Sequence, residues 1–279
     1  MRKPVKNIAA KLLRFCTKNQ KILNFILKNL RFTTNTADLI IRNNRKIFME
    51  ICDQFPSEIN NGFRHIDRVL YIAKLNKLPG ANIIIDIGAA DGEISLLFSK
   101  AYPEAIIYAF EPIKSAFTNL YQNVKENPHI LPVNKALGNT NGERIIHISE
   151  SIRSSSIFEI ENDIKNTYLA EQLKYKRDEK INISRLDNEI PQDINVNIVK
   201  IDVQGYELEV LKGAKLTLLR TKLVVLEMQN HDHYIDAPKY FILDEYLRKS
   251  GFQLYDIIPS IREGNKLYEW DGIYINAGF

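Results

Sequence analysis

The chain has 279 residues, 45% hydrophobic and 26% charged, which is the make-up of a folded globular protein and too apolar for a disordered one. Its formal charge is +4, but nine positive residues (Arg2, Lys3, Lys6, Lys11, Arg14, Lys18, Lys21, Lys28 and Arg31) precede the first acid, Asp38, so the remainder is a body of about −5 behind a basic arm. Two cysteines, Cys16 and Cys52, exclude a disulfide-dense scaffold and a cysteine-rich zinc module, and suggest a reducing cytoplasm. No run reaches the ~20 apolar residues that span a bilayer. Charges recur through the first thirty residues and leave no clean apolar stretch for an export signal.

Residues 4–30 read as a basic amphipathic helix, with Ile8, Leu12, Leu13, Phe15, Ile22, Phe25, Ile26 and Leu30 at mostly helical spacings. Two readings stand for it: packing on its own domain or a second subunit, or lying peripherally on an anionic membrane surface with its lysines toward lipid phosphates. A nucleic-acid arm is disfavoured, because aromatic residues do not alternate with the charges as base stacking requires. Two further helices are expected at 36–55 and 63–77. The N-terminal extension is thus helical over residues 1–79, and a second domain runs from 80 to 279.

From residue 80 the texture becomes strand–helix alternation. Strands are expected at 82–86, 105–110 and 130–134, with helices near 94–101 and 113–126 between them. Residues 144–148 suit a hairpin strand. Strands at 197–203 and 222–228 flank a helix at 206–219. A helix at 238–250, stopped by Gly251, precedes strands at 252–257 and 272–276. Such alternation implies right-handed βαβ units and a mostly parallel sheet, that is, an α/β fold. The polar stretch 149–180 departs from the pattern and reads as an insertion near the site or a lid.

The most informative segment is Ile83-Ile84-Ile85-Asp86-Ile87-Gly88-Ala89-Ala90-Asp91-Gly92-Glu93, a buried strand ending in an acid and a turn of small residues that opens a helix. A dinucleotide fingerprint counted from Gly88 would put Glu93 at its sixth position, where it would repel a pyrophosphate and spoil helix–strand packing. The spacing acid-x-Gly-x-Gly-x-Gly is filled instead by Asp86, Gly88, Ala90 and Gly92. It suits a cofactor with an amino-acid end and no phosphate, such as S-adenosylmethionine. Twenty-three residues beyond Gly88, Glu111 stands just past the next strand, where a carboxylate can accept two hydrogen bonds from a ribose diol. The cofactor-binding candidates are therefore Asp86, Gly88, Ala90, Asp91, Gly92 and Glu111.

Together with Asp86-Ile87-Gly88-Ala89-Ala90-Asp91-Gly92, the segments Ala109-Phe110-Glu111-Pro112, Ser154-Ser155-Ser156, Arg185-Leu186-Asp187 and Val224-Val225-Leu226-Glu227 carry a resemblance to the FkbM family of S-adenosylmethionine-dependent methyltransferases. The most specific block is Val199-Lys200-Ile201-Asp202-Val203-Gln204-Gly205-Tyr206-Glu207, continuing to Ala214. The resemblance covers residues 80–277; Ala90-Asp91 departs from it, since family members often have asparagine at the second place. It implies a class I, Rossmann-like methyltransferase fold, a seven-stranded sheet with an antiparallel last strand. It also implies O-methylation of a glycan, a polyketide or another small hydroxylated compound.

Asp202 ends a parallel strand at the crevice where α/β ligands bind, an acid hard to explain by burial, and is a candidate both for catalysis and for the cofactor. Glu207 is either catalytic or a helix-start charge favoured by the macrodipole. Glu227 ends the following strand. O-methylation of an alcohol needs a base that takes its proton, for which His231 and His233 are candidates, unless they are solvated loop residues. His231-Asp232-His233 could also hold a divalent metal, but nothing else has ligand spacing and no metal is assigned. The catalytic candidates are then Asp202, His231, Glu207 and Glu227. Lys200 either pairs with a neighbouring acid or sits at an edge, Asp187 reads as a cap, and Trp270 as a packing residue. Two alternatives are a nucleic-acid methyltransferase using the basic arm and a methyltransferase-fold binding protein without turnover. Against the first, both cysteines precede the domain, and Asp202-Val203-Gln204-Gly205 stands where an amino-methylating loop would need consecutive prolines.

Overall fold

The computed structural model describes residues 69–70, 72–73, 82–161, 171–230, 233–263 and 266–278. All of them belong to one compact unit, Arg68–Phe279. The basic arm at 4–30, the helix at 36–55, both cysteines and His231 lie outside the described residues, as does most of the helix expected at 63–77; Val69, Leu70, Ile72 and Ala73 of that helix are helical and buried.

The elements in chain order are β1 (Ile83–Ile87), α1 (Glu93–Ala101), β2 (Ile106–Phe110), α2 (Lys114–Val124), β3 (Ile130–Val133), β4 (Ala136–Leu137), β5 (Gly142–Ser149), β6 (Tyr175–Ser184), α3 (Leu186–Glu189), β7 (Val196–Ile201), α4 (Glu207–Gly213), α5 (Lys215–Leu218), β8 (Thr221–Gln229), α6 (Tyr240–Lys249), β9 (Phe252–Glu263) and β10 (Lys266–Asn276). A seven-stranded sheet has the order β3-β2-β1-β7-β8-β10-β9. The strands from β3 to β8 run parallel, and the last strand in the chain, β10, is inserted antiparallel between β8 and β9. The expected mostly parallel sheet with an antiparallel last strand is present.

Burial explains the composition of the central strands. All five residues of β1 are buried, which requires cover on both faces of the sheet and favours the unbroken Ile-rich run. One face contributes Ile83, Ile85, Ile87, Val199, Ile201, Val224 and Leu226 to a core shared with Val210 and Leu211 of α4 and with Leu243 and Leu247 of α6. The alternation of the pleat turns Ile84, Asp86, Ile198 and Lys200 to the opposite face. Trp270 packs in the first core and meets Tyr240 edge-to-face, as expected of a packing residue.

Two expectations need correction. Residues 149–180 are only in part a connecting segment: 175–180 begin strand β6, the middle strand of a second, three-stranded sheet of order β4-β6-β5. The first half of β6 is exposed and charged, so no apolar alternation marks it. Its pairing is supported by cross-strand contacts, a hydrogen bond between His147 Nδ1 and Asp178 at 2.7 Å and an ion pair of Lys180 with Glu143 at 2.7 Å. The expected single helix at 206–219 is instead two, α4 and α5, broken at Ala214. Asp187 is the reason: Oδ1 accepts from the Thr217 N–H (2.8 Å) and hydroxyl (2.9 Å), and Oδ2 from the Leu216 N–H (3.1 Å). It is indeed a cap, but of a helix thirty residues away, whose free N–H groups it satisfies.

Gly213 closes α4 against the smaller sheet's connection. A Cβ there would stand 1.9 Å from the Gly138 carbonyl oxygen, so only glycine permits the contact. Gly213→Ala is expected to lower unfolding free energy by about 2–3 kcal/mol, the scale of overpacking against rigid backbone, as measured by urea denaturation.

Candidate active site

The register of the large sheet assembles the site. Phe110, Ile87, Ile201 and Leu226 are side by side across β2, β1, β7 and β8. The next residue of each strand, Glu111, Gly88, Asp202 and Glu227, therefore lies along one carboxyl-terminal edge, and Asp271 of β10 pairs with Glu227. The strand order reverses between β1 and β7, which makes this edge the crevice where ligands of open α/β sheets bind.

The glycine turn is pinned to both neighbouring strands. Gly88 and Ala89 donate N–H bonds to the Phe110 carbonyl at 3.0 and 2.9 Å, and Asp202 donates to the Ile87 carbonyl at 3.1 Å. Gly88 has φ +77°, and a Cβ there would stand 1.8 Å from the Asp202 carbonyl oxygen, so the turn and the loop after β7 touch backbone to backbone. Ala90 takes the place of the middle glycine at φ +49°, a left-handed conformation costing about 1–2 kcal/mol for a residue with a Cβ. Its N–H donates to Glu111 Oε2 at 2.9 Å, which helps to hold it there. Gly92, at φ +85°, opens α1.

Glu111 is buried, and its other oxygen accepts the Ile113 N–H at 2.9 Å. Each oxygen keeps a second lone pair for a ligand diol. Burial, opposed by these two N–H bonds, pushes Glu111 up to about 7. Asp86 lies beneath the turn with 0% exposure, one oxygen accepting the Ser95 hydroxyl at 2.6 Å and the other 3.6 Å from the Lys200 ammonium. Asp86 and Lys200 are direct cross-strand partners on one face of the sheet, which settles the two readings of Lys200 in favour of pairing. Lys200 also reaches Asp202 Oδ2 at 3.3 Å and the Gly88 carbonyl at 3.4 Å. Burial pushes Asp86 up against the pull of Lys200. Burial acts on Asp202 in the same sense, but Lys200 and a hydrogen bond from Gln204 outweigh it, so Asp202 sits below the usual carboxylate range. Glu227 is driven well above that range by burial and by the Asp202 charge.

Glu207 turns back into its own loop, where Oε1 accepts the N–H groups of Val203 (3.1 Å) and Gly205 (3.0 Å). Asp91 is half exposed and pairs with Arg153 at 2.8 Å. His233 is buried rather than a solvated loop residue, with Nδ1 4.0 Å from Glu269. Among the described residues no group of three or more His, Cys, Asp and Glu side chains is arranged to hold a metal. The edge thus brings together Asp86, Gly88, Ala90, Glu111, Asp202 and Glu227, with Glu207 bracing the loop and Asp91 at the rim.

Sequence reasoning did not single out Gln204, Tyr234 or Ser156 individually. Gln204 Nε2 lies 2.9 Å from both Asp202 Oδ1 and Glu227 Oε2. The Tyr234 hydroxyl lies 2.9 Å from Gln204 Oε1 and 3.0 Å from the Ser154 carbonyl, and the Ser156 hydroxyl donates to the Gln204 carbonyl at 2.6 Å. Residues 151–161 thereby run as a strap from the glycine turn, through Arg153, to the loops after β7 and β8.

Burial pushes Glu207 up to about 7, so the folded state binds its proton more tightly than the unfolded chain does. This contribution to stability is complete below pH ~4.5 and is lost as pH rises toward 7. Glu207→Gln keeps an oxygen for both N–H groups, so the fall in unfolding free energy between pH 5 and pH 8 should shrink by up to about 3 kcal/mol in denaturant titrations.

A family model, the methyltransferase FkbM domain, matches residues 86–254, more than half of the chain. The 2-O-methyltransferase NoeI of Sinorhizobium fredii is 26% identical over 192 residues, 66% of this chain and 78% of that protein. The hexuronic acid methyltransferase AglP of Haloferax volcanii is 26% identical over 148 residues, 53% of this chain and 56% of that protein. Among solved structures, the magnesium protoporphyrin IX methyltransferase of Synechocystis is 10% identical with a TM-score of 0.44, covering 76% of this chain and 78% of that one. The turn at Asp86–Gly92, the Lys200–Asp202 strand end and the Glu227 strand end all fall inside the matched segment, and the chain belongs to the FkbM family of methyltransferases.

Proposed function

We propose that the protein is an S-adenosylmethionine-dependent O-methyltransferase whose acceptor is a hydroxyl of a glycan or another small hydroxylated compound. The observation that carries this reading is the charge of the carboxyl-terminal edge, where Asp86, Glu111, Asp202, Glu227 and Asp271 surround one cation, Lys200. Carboxyl groups along this edge disfavour a pyrophosphate, and Asp202, held ionised by Lys200, suits a cofactor that carries a sulfonium and an ammonium group. Residues at the turn fit that cofactor's two ends: Glu111, each of whose oxygens keeps a lone pair, would accept a ribose diol, and Gly88 to Gly92 would allow close backbone approach for the amino-acid end. Asp86, buried beneath the turn, shapes it through Ser95 and Lys200.

S-adenosylmethionine, when bound, supplies an electrophilic methyl group. The chain's own residues orient the acceptor and manage its proton. Asp202, kept ionised by Lys200, orients the acceptor hydroxyl, and Glu227, whose proton affinity is raised by burial and by the Asp202 charge, takes the proton. The two relatives named for 2-O-methylation and for hexuronic acid methylation support a sugar hydroxyl as the acceptor.

Isothermal titration of the full chain with S-adenosylmethionine should give micromolar binding. Glu111→Ala should weaken it tenfold or more, about 1.4 kcal/mol, the scale of a charge-assisted hydrogen bond. Equal affinity in the parent and Glu111→Ala would remove the cofactor site from this turn. Transfer of a labelled methyl to methyl glycosides, lost in Asp202→Asn, is the expected activity; transfer to RNA or DNA in their place would overturn the acceptor class.

A further inference from the structure

We propose that Gln204 is the positioning residue of the reaction: its single amide nitrogen, 2.9 Å from Asp202 Oδ1 and 2.9 Å from Glu227 Oε2, holds the two carboxylates in one fixed arrangement, and Tyr234 determines which way the amide faces. The argument is a count of protons. An amide nitrogen has two hydrogens, and two carboxylate oxygens lie within reach of it, so each receives one. When both carboxylates are ionised, an amide turned over would set its oxygen against them with no proton between. The Tyr234 hydroxyl has one proton and two acceptors in reach, Gln204 Oε1 at 2.9 Å and the Ser154 carbonyl at 3.0 Å, and it favours the first orientation when that proton is directed at Oε1.

The main chain is held as well. Gln204 has φ +55° without being glycine, and its carbonyl accepts the Ser156 hydroxyl at 2.6 Å. Backbone, amide oxygen and amide nitrogen are thus each tied to a different segment: the strap, the loop after β8, and the two strand ends. A side chain kept at a left-handed position by three anchors suits positioning more than solvent exposure. The charged groups facing the pair are Lys200 of β7, Asp86 of β1, Glu207 of α4, and Glu269 and Asp271 of β10. Most of them are negative, which raises the proton affinity of Glu227, and the amide hydrogens favour the state in which both carboxylates are ionised.

The kinetic part of the proposal rests on the O-methyltransferase reading; the positioning part does not. The test uses the full chain with carboxyl-¹³C-labelled aspartate and glutamate, titrated by NMR, in the parent, Gln204→Met and Tyr234→Phe. Gln204→Met removes both of its donors at similar side-chain length, and Asp202 and Glu227 should each bind their proton more tightly, by up to about tenfold, with Lys200 still beside Asp202 and the Gln229 amide still on Glu227 Oε2 at 3.2 Å. Tyr234→Phe, which leaves Gln204 in place, should shift both in the same direction by less. Affinity for S-adenosylhomocysteine, the probe for the cofactor end, should change less than threefold in both variants. With labelled methyl donor and methyl glycosides, kcat should fall at least tenfold at constant donor KM, with the acid limb of the rate profile moved to higher pH. Unchanged titration of Asp202 and Glu227 in Gln204→Met overturns the proposal, as does loss of S-adenosylhomocysteine binding equal to the loss of rate. If the parent methylates no glycoside, the acceptor class fails, and the titration alone decides the role of Gln204.

Discussion

Lys200 bridges two carboxylates on neighbouring parallel strands, and the carboxyl-terminal edge of the sheet depends on that bridge. Its ammonium stands 3.6 Å from Asp86 and 3.3 Å from Asp202, with the Gly88 carbonyl at 3.4 Å. Asp86 Oδ1 is buried without a hydrogen-bond donor among the described residues, so the lysine charge is what compensates it. Removing one partner of a buried pair costs about 3–5 kcal/mol, because the other charge is left uncompensated. The bridge sits where strand order reverses. It joins the two halves of the sheet and at the same time sets the proton affinities on either side: both carboxylates raise the affinity of Lys200, and Lys200 holds Asp202 ionised.

From that bridge the edge gains an ordered asymmetry. Asp202 has the lysine beside it, whereas Glu227, one strand farther, faces Asp202, Glu207, Glu269 and Asp271. Two carboxylates in adjacent registers thus differ in proton affinity through their neighbours alone, which is the condition for dividing acid and base roles. Glu111 and Glu207, each pushed up to about 7 by burial, spend their oxygens on backbone N–H groups and so shape loops. The site is built from carboxylates with distinct tasks.

Local signals carried much of this. The β1 run is buried on both faces and needs no partner information to be recognised, and Glu111 and Asp202 follow from counting along strands to a turn. Of the three-stranded sheet the hairpin strand β5 was legible and β6 was not, because the exposed half of β6 is held by polar contacts to β5 rather than by its own alternation. Nor was the break between α4 and α5, which is caused by Asp187 thirty residues away. Gln204 lay inside the most specific motif, yet its role depends on Tyr234 and Ser156, which only tertiary structure brings to it. His233 shows the converse: a histidine in a polar loop sequence is buried because β10 packs beside it. Spacing along the chain finds residues that share an element; it does not find those that share a neighbour.

The strap over the edge is fastened by unlike chemistry at its two ends. At the glycine turn, Arg153 meets Asp91 with both side chains about half in water, an attachment worth about 0–1 kcal/mol and weakened by salt. At the other end, Ser156 and Tyr234 are buried and bonded to Gln204, and the backbone of 159–161 pairs with residues 233–235. The strap is therefore a one-sided hinge. Salt therefore loosens the attachment at the glycine turn while leaving the anchor at Gln204 in place, so the two ends of one segment answer to different conditions.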